Sequence, residues 1–438
     1  MCNELSNLYN IKNSKKAENN ELDATTQIFQ KFNNKYGDKI ENEILKLDYI
    51  TLVFQTKIEK KSPSIFQNFD PNIRIGLVNL GNSCYINAVL QCLFHIPELV
   101  IYFLTQNKIQ YNLFLTPLSF ALNLFVNVIY QSANKNITYT KYNPSFICNI
   151  VFILNNNFSP NKPNDAKDFL IYVIGRLHQE LNETSFNQNQ NYSIVQKKDP
   201  LRNFLNYFTS NYKSIISNIF NWVNQIKRTC QNCKSQILSY QTFPYLILDL
   251  EKTRKKMFEK NHNITILDAK NNNNNAFKDW FDGYYQEKEN IPINLKDCID
   301  FYCTKKNEFE YFCPLCNSFC GQISTNKIFS SPNIFIFILN RGKNNIHSVK
   351  MNYPPILEIG EYIESKACPK TYELIGVITH LGLSGPGGHF IAFCKNPIDG
   401  KWYRYNDEIV TEADKFNIYN EGIAYILIYR KIKENKTI

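Results

Sequence analysis

A mixed α+β fold, helices first and sheet second, is the architecture this sequence predicts. Three observations carry it: amphipathic helical spacing from Ile73 through the first half, glycine-punctuated turns starting at the same point, and aromatic and β-branched runs from about Gln236 to the end. At 438 residues, 44% of them apolar, the chain can bury a large core, which excludes disorder throughout.

In chain order, residues 1–72 are rich in Asn, Lys and Glu, hold one strand-like run at Ile50 to Phe54, and form an extension without recognisable chemistry. Residues 73–433 are the folded domain and 434–438 a short tail. The most apolar stretch, Tyr111 to Tyr130, carries Asn112, Thr116, Pro117, Asn123 and Asn127, too many polar groups for a lipid-spanning helix. It reads as a buried domain helix, and no membrane partner is expected. Asn271 to Asn275 is a pure Asn tract inside a polar surface insertion at about 251–290.

The net charge is +10, with Lys plus Arg at 49 against 39 for Asp plus Glu, but the basic residues are scattered. Only Lys252 to Lys260 (KTRKKMFEK) is dense, and a solvated surface accounts for it better than a phosphate-binding patch or a nuclear address. The N-terminus lacks the basic-then-apolar pattern of a secretory signal, so the thirteen cysteines are read as thiols or metal ligands in the cytoplasm or nucleus.

Gly76 to Leu93 reads GLVNLGNSCYINAVLQCL, a glycine-bearing turn that delivers Cys84 to the start of a helix. Unpaired N–H groups and the positive end of the helix dipole favour the thiolate there, the form that attacks an amide carbonyl. Asn79, on the approaching loop, is the candidate oxyanion donor, and Gly81 lets the backbone turn between them. An isolated cysteine is usually a buried thiol, and Cys92 further along the helix is read as one.

The second constellation, Tyr372 to Arg430, contains YELIGVITHLGLSGPGGHFIAFCKNPIDGKWYRYNDEIV. Gly385, Gly387 and Gly388 precede His389, and the strand HFIAF turns through Pro397 to Gly400 into KWYRYN, a β-hairpin. An even loop gives cross-strand partners an odd index sum, which puts Asn406 on the face of His389 and Asp407 on the opposite one; an odd loop or a bulge reverses this. His389 is then the base that takes the Cys84 proton, with Asn406 fixing its tautomer. His380 reads as a structural histidine and His95 as packing or surface.

These two boxes resemble those of the ubiquitin-specific proteases, papain-like cysteine isopeptidases, over about residues 73–433. Ser83 and Ile86 stand where the family usually has Thr and Met, and both changes keep size and polarity. The resemblance implies a papain-like cysteine protease fold with a helical thumb, a β-rich palm and zinc-tipped β fingers. It also implies a deubiquitinating activity on ubiquitin and ubiquitinated proteins. Asn406 matches the family's Asp or Asn that orients the imidazole, and Asp407 the following acidic residue that assists.

Two C-x-x-C knuckles, Cys230/Cys233 and Cys313/Cys316, together offer four thiolates to one structural zinc, with Cys303 and Cys320 nearby. A closed four-sulfur site has no open position, so no catalytic cofactor is expected. Free thiols or a redox pair are the alternatives. In the family such knuckles cap the fingers that grip the body of ubiquitin.

NDAKDFL, Asn164 to Leu170, resembles the family's second helix motif, with Pro163 and Asn164 in place of its usual two glutamines. Asp165 and Asp168 match carboxylates that meet arginines in the ubiquitin tail; an N-cap at Asp165 with an exposed Asp168 is the competing reading. Gly387 and Gly388 join them as substrate-binding residues, beside a slot narrow enough for the tail's terminal glycines. Leu339-Asn340-Arg341-Gly342 departs from the family where a basic residue and an aromatic usually flank the arginine. Two alternatives stand beside this enzyme: a silent ubiquitin-binding scaffold, which predicts a missing triad member, and an isopeptidase for a related modifier. A zinc-dependent nucleic-acid binder would need a basic face around the knuckles, and NEFEYFCPLCNSFC is not notably basic.

Overall fold

The computed structural model describes residues 74–432 except 106–112, 132–140, 161, 184–199, 264, 267–273, 289–290, 343–348, 350, 366–367, 369 and 383–386. The extension 1–72, the tail 434–438, the run Ile50 to Phe54, Gly385 and most of the Asn tract therefore lie outside the described residues. The chain divides into two compact units, one of Met1–Gln190, Ser210–Ile216 and His389–Ile418, the other of Asn191–Thr209, Ser217–Gly388 and Tyr419–Ile438.

The first unit is built around the helix Cys84–Leu93, in which every residue from Tyr85 to Leu93 is buried. A helix buried all round must be covered on all sides, and Ala166–Glu180 and the strand His389–Lys395 both pack on it. Tyr85 meets Phe158 and Phe169, while Phe94 meets Phe103 and Phe125. The apolar stretch forms the helix Pro117–Gln131. Its Asn123 side chain is buried and donates to the Phe103 carbonyl at 2.9 Å, and Asn127 donates to the Asn123 carbonyl at 2.8 Å. Among the described residues no single helix is long and apolar enough to cross a membrane.

The N-terminus of that helix is closed by a buried carboxylate. Glu180 accepts from the backbone N–H of Leu118 at 3.3 Å and of Ser119 at 2.7 Å, and Arg176 Nε donates to it at 2.6 Å. A helix start with unpaired N–H groups and a positive dipole end suits an anion, and the arginine offsets the charge.

The sheet of this unit is a meander. His389–Lys395 runs antiparallel to Trp402–Asn406, which runs antiparallel to Ile409–Glu412. Six residues separate the first two strands, and the register pairs Ala392 with Tyr405 and Lys395 with Trp402, an odd index sum.

The second unit is mainly sheet. A four-stranded antiparallel sheet has the order Gln236–Phe243, Trp222–Cys230, Ser318–Ser330, Asn307–Cys313. In another, Ile334–Asn340 lies between Leu246–Asp249, parallel to it, and Ile423–Lys431, antiparallel to it; Thr371–Leu381 adds to the far side of the last. Ile334 to Leu339 are all fully buried, the continuous apolar run of a strand covered on both faces.

The stretch 251–290 departs from a solvated insertion. It contains the helices Leu250–His262 and Asn274–Glu287, which enclose a small core of Phe258, Trp280, Tyr284 and Ile291. Arg254 of the basic run is only 2% exposed, donating to Glu251 at 2.6 Å and to the Tyr284 hydroxyl at 3.1 Å. Helical spacing puts Trp280 and Tyr284 on one face, and the polar residues between them hide that spacing.

Candidate active site and metal centre

Cys84 opens its helix, and the segment before it is wound tightly enough to present it. Asn79 Oδ1 accepts from the N–H of Gly81 at 3.0 Å and of Ser83 at 3.3 Å. Leu80 N–H donates to Ser83 Oγ at 2.8 Å. Gly81 has φ +111°, a backbone conformation that side-chain-bearing residues rarely adopt. The Ser83 side chain makes no cap hydrogen bond, so it leaves the N–H groups of the first turn to other acceptors.

His389 lies at the start of its strand, and the odd register puts Asn406 on its face of the sheet. His389 Nε2–H donates to Asn406 Oδ1 at 2.6 Å. The other nitrogen is left for Cys84, whose hydrogen bond is the largest influence on the ring and raises its pKa to about 9; burial opposes, and Asn406 and Asp407 raise it further. Thiol, imidazole and amide thus stand in one hydrogen-bonded line.

Asp407 departs from the strand alternation that would turn it away. It follows the last residue of Trp402–Asn406, in the two-residue turn before Ile409, and takes φ 50°. Alternation ends where the strand ends, and the left-handed backbone, which Asp tolerates better than most residues, brings the carboxylate back to 3.6 Å from His389 Nε2. Its Oδ2 accepts from Asn79 Nδ2 and its Oδ1 from Asn87 Nδ2, both at 2.8 Å.

Asn87 was not distinguished by the sequence reading. It is buried in the nucleophile helix, three residues after Cys84, and its amide also reaches the carbonyls of Leu77 at 3.2 Å and Val78 at 3.3 Å. The available signal was a polar residue amid a mainly apolar run, on the same helical face as Cys84.

Among the substrate-binding candidates, Asp165 is the N-cap of Ala166–Glu180 and accepts from Lys167 N–H at 2.8 Å. Asp168 stands in the first turn with its side chain 62% exposed, and Lys167 Nζ lies 3.5 Å from Asp165 and 3.6 Å from Asp168. In the second unit, a side chain on Gly388 would collide with the buried His380 ring, so glycine is required there; Gly387 is open. Arg341 is buried and donates to the carbonyls of Ala424 at 2.9 Å and Val349 at 2.6 Å, a clamp on backbone rather than a group offered to a substrate. His95 is a packing residue: Nδ1–H donates to the Gln91 carbonyl at 2.6 Å and Nε2 accepts from the Tyr405 hydroxyl at 2.8 Å, and desolvation lowers its pKa to about 4.

The second unit brings Cys230, Cys233, Cys313 and Cys316 together, with their sulfurs within 4.8 Å of one another. Both knuckles close the same way, with Lys234 and Asn317 in the left-handed region immediately after the second cysteine. Cys233 N–H donates to Cys230 Sγ at 3.5 Å, and N–H groups of Cys316 and Leu315 help pull the Cys313 thiol down to about 6. A tetrahedral ion with metal–sulfur bonds of about 2.3 Å sets its sulfurs roughly 3.8 Å apart. The observed 3.9 Å for Cys230 to Cys316 and 3.8 Å for Cys233 to Cys313 fit that tetrahedron.

Comparison with known proteins supplies a family for the chain. The family model described as ubiquitin carboxyl-terminal hydrolase matches residues 75–429. Ubiquitin carboxyl-terminal hydrolase 10 of Saccharomyces cerevisiae is 25% identical over 422 residues, covering 86% of this chain and 49% of its own length. The chain therefore spans about half of that relative. Probable ubiquitin carboxyl-terminal hydrolase 16 of Schizosaccharomyces pombe is 26% identical, covering 85% of this chain and 70% of its own. Among solved structures, the SAGA DUB module of Ubp8, Sgf11, Sus1 and Sgf73 bound to monoubiquitin matches with a TM-score of 0.58 at 21% identity. It covers 91% of this chain and 76% of the matched one, a likeness of fold. With the family model spanning both the Cys84 and His389 segments, the chain belongs to the ubiquitin carboxyl-terminal hydrolase family.

Proposed function

We propose that this protein is a deubiquitinating cysteine protease that hydrolyses the peptide or isopeptide bond after the C-terminal glycine of ubiquitin. One observation carries the chemistry: the hydrogen-bonded line of Cys84, His389 and Asn406, with the imidazole proton held up to about 9. A thiol hydrogen-bonded to an imidazole that holds its proton sets a nucleophile and a general acid side by side.

The Cys84 thiolate attacks the glycine carbonyl carbon, and the carbonyl π electrons move onto oxygen. Asn79 uses one amide hydrogen on Asp407; the other, with an N–H of the nucleophile helix, is available to that oxyanion. Collapse of the tetrahedral intermediate breaks the C–N bond as His389 gives its proton to the leaving amine, leaving ubiquitin as a thioester on Cys84. Neutral His389 then takes a proton from water as its oxygen attacks the thioester carbonyl; collapse breaks the C–S bond, releasing the ubiquitin carboxyl group and returning the Cys84 sulfur beside a protonated His389. Asn406 holds the ring tautomer throughout.

For the substrate, we assign Asp165 and Asp168 to the arginines of the ubiquitin tail, with Lys167 exchanged for guanidinium on binding. Gly387 and Gly388 belong to the slot for the terminal glycines. We assign structural zinc to the four cysteines, whose sulfur spacing suits it and whose closed set leaves no position for catalysis. Bound there, the ion supplies a cross-link that holds the two knuckles together.

The test is reaction with ubiquitin carrying a C-terminal electrophile, alongside equivalent probes built on related modifiers. A ubiquitin adduct on Cys84, absent in Cys84→Ala, is expected. Adducts from a related modifier alone overturn the substrate assignment, and an adduct that survives Cys84→Ala overturns the nucleophile.

A further inference from the structure

The cluster of sulfurs contains one more than a tetrahedral ion uses. Cys320 Sγ lies 3.2 Å from Cys230 Sγ, closer than the roughly 3.8 Å that separates two thiolates on one tetrahedral zinc. Among the four knuckle sulfurs, Cys230 to Cys316 and Cys233 to Cys313 meet that spacing. Cys320 is thus a fifth thiol in contact with a ligand, and it is partly exposed whereas Cys230 is buried. The contact is built into the sheet. Cys230 ends the strand Trp222–Cys230 in register with Gln322 of Ser318–Ser330, so Cys320 is its diagonal neighbour on the same face.

We propose that Cys320 is the reactive partner in a peroxide-sensitive site, where oxidation joins it to Cys230 and releases the metal. This goes beyond the deubiquitinase reading and rests only on its zinc assignment. The Cys320 sulfur attacks one peroxide oxygen; the O–O bond breaks, hydroxide leaves, the thiol proton passes to solvent, and Cys320 becomes a sulfenic acid. Cys230 sulfur gives up its metal bond and attacks the sulfenic sulfur, expelling a second hydroxide. Both hydroxides take up protons. Two sulfurs lose two electrons, hydrogen peroxide is reduced to two waters, and three ligands remain where four are needed to close the site. A dithiol reductant with added zinc reverses the change.

The experiment uses the full chain in a Cys84→Ala background, so that oxidation of the nucleophile does not enter. Zinc content is measured first, then hydrogen peroxide is added while a chromophoric chelator reports zinc release, with non-reducing peptide mapping in parallel. The parent is expected to release zinc together with a Cys230–Cys320 disulfide, and Cys320→Ser to release it about five-fold more slowly or less. Release by Cys320→Ser and Cys320→Ala at the parent's rate, or a disulfide that pairs Cys230 with Cys233, Cys313 or Cys316 instead, overturns the proposal. A parent isolated without zinc overturns the metal assignment, and with it metal release, whereas zinc-loaded parent that keeps its metal under peroxide overturns the switch alone.

Discussion

Replacing Cys84 by alanine removes the largest of the interactions that hold the His389 proton. The imidazole titrates at about 9 instead of 6.5: Cys84 raises it most, burial opposes, and Asn406 and Asp407 raise it further. That rise corresponds to ~3 kcal/mol of preference for the imidazolium. With 32% of the His389 side chain exposed, screening leaves roughly half of it as interaction energy. In Cys84→Ala, burial works against Asn406 and Asp407 alone, and the midpoint falls by about one pH unit or more, ~1.4 kcal/mol. Proton NMR of the His389 ring, titrated in both proteins, measures this directly, and a midpoint that stays near 9 in the variant refutes the pairing. The folded-state value lies above the unfolded one, so the stability His389 supplies is complete below pH 6.5 and lost as pH rises through about 9. Wild-type kcat/KM should decline through that same alkaline range as the general acid is lost.

Asn406→Ala should lower kcat about 10²-fold with KM little changed, since the amide fixes the tautomer and not the substrate, as steady-state hydrolysis of a fluorogenic ubiquitin substrate would register. Asn87→Ala leaves Asp407 Oδ1 and two backbone carbonyls without their donor and should cost about 2 kcal/mol in urea denaturation. Glu180→Ala strands the first-turn N–H groups of Pro117–Gln131 and an arginine together, for about 3 kcal/mol by the same measurement. Cys313→Ser should bring bound zinc from about one per chain to near zero by elemental analysis, because three thiolates do not close a structural site.

The parts of the site that a periodic rule describes were legible in the sequence. Strand parity fixes Asn406 on the face of His389 once the loop is even, and the glycine-bearing turn places Cys84 at a helix start. The spacing within each knuckle singles out the four sulfurs that the fold brings within 4.8 Å of one another. The family resemblance picked out Asp407 while parity turned it to the opposite face, because parity has no meaning one residue past the strand, where φ changes sign. The helical pair within 251–290 escaped because its core rests on a few aromatics separated by lysines, asparagines and glutamates, so the polar majority set the apparent character. Asp165 was open between two roles, and its N-cap bond to Lys167 does not choose between them, since a carboxylate with one oxygen on a helix N–H keeps acceptor capacity for a guanidinium.

Asp407 also explains why the nucleophile segment and the histidine hairpin need no covalent link to keep their geometry. Its two carboxylate oxygens take one donor from the turn before Cys84 and one from the helix that begins there. Its own backbone carbonyl accepts from Leu77 N–H at 2.8 Å. One residue thus makes three bonds to the Cys84 side while belonging to the turn that follows Asn406. Its negative charge, 3.6 Å from the imidazole, favours the protonated ring. A strand position would deliver either the charge or the anchoring, because a side chain there faces one way. A left-handed turn residue, with carbonyl and carboxylate both directed back at the same neighbour, delivers both, which is the physical reason for an aspartate where the alternation of the hairpin stops.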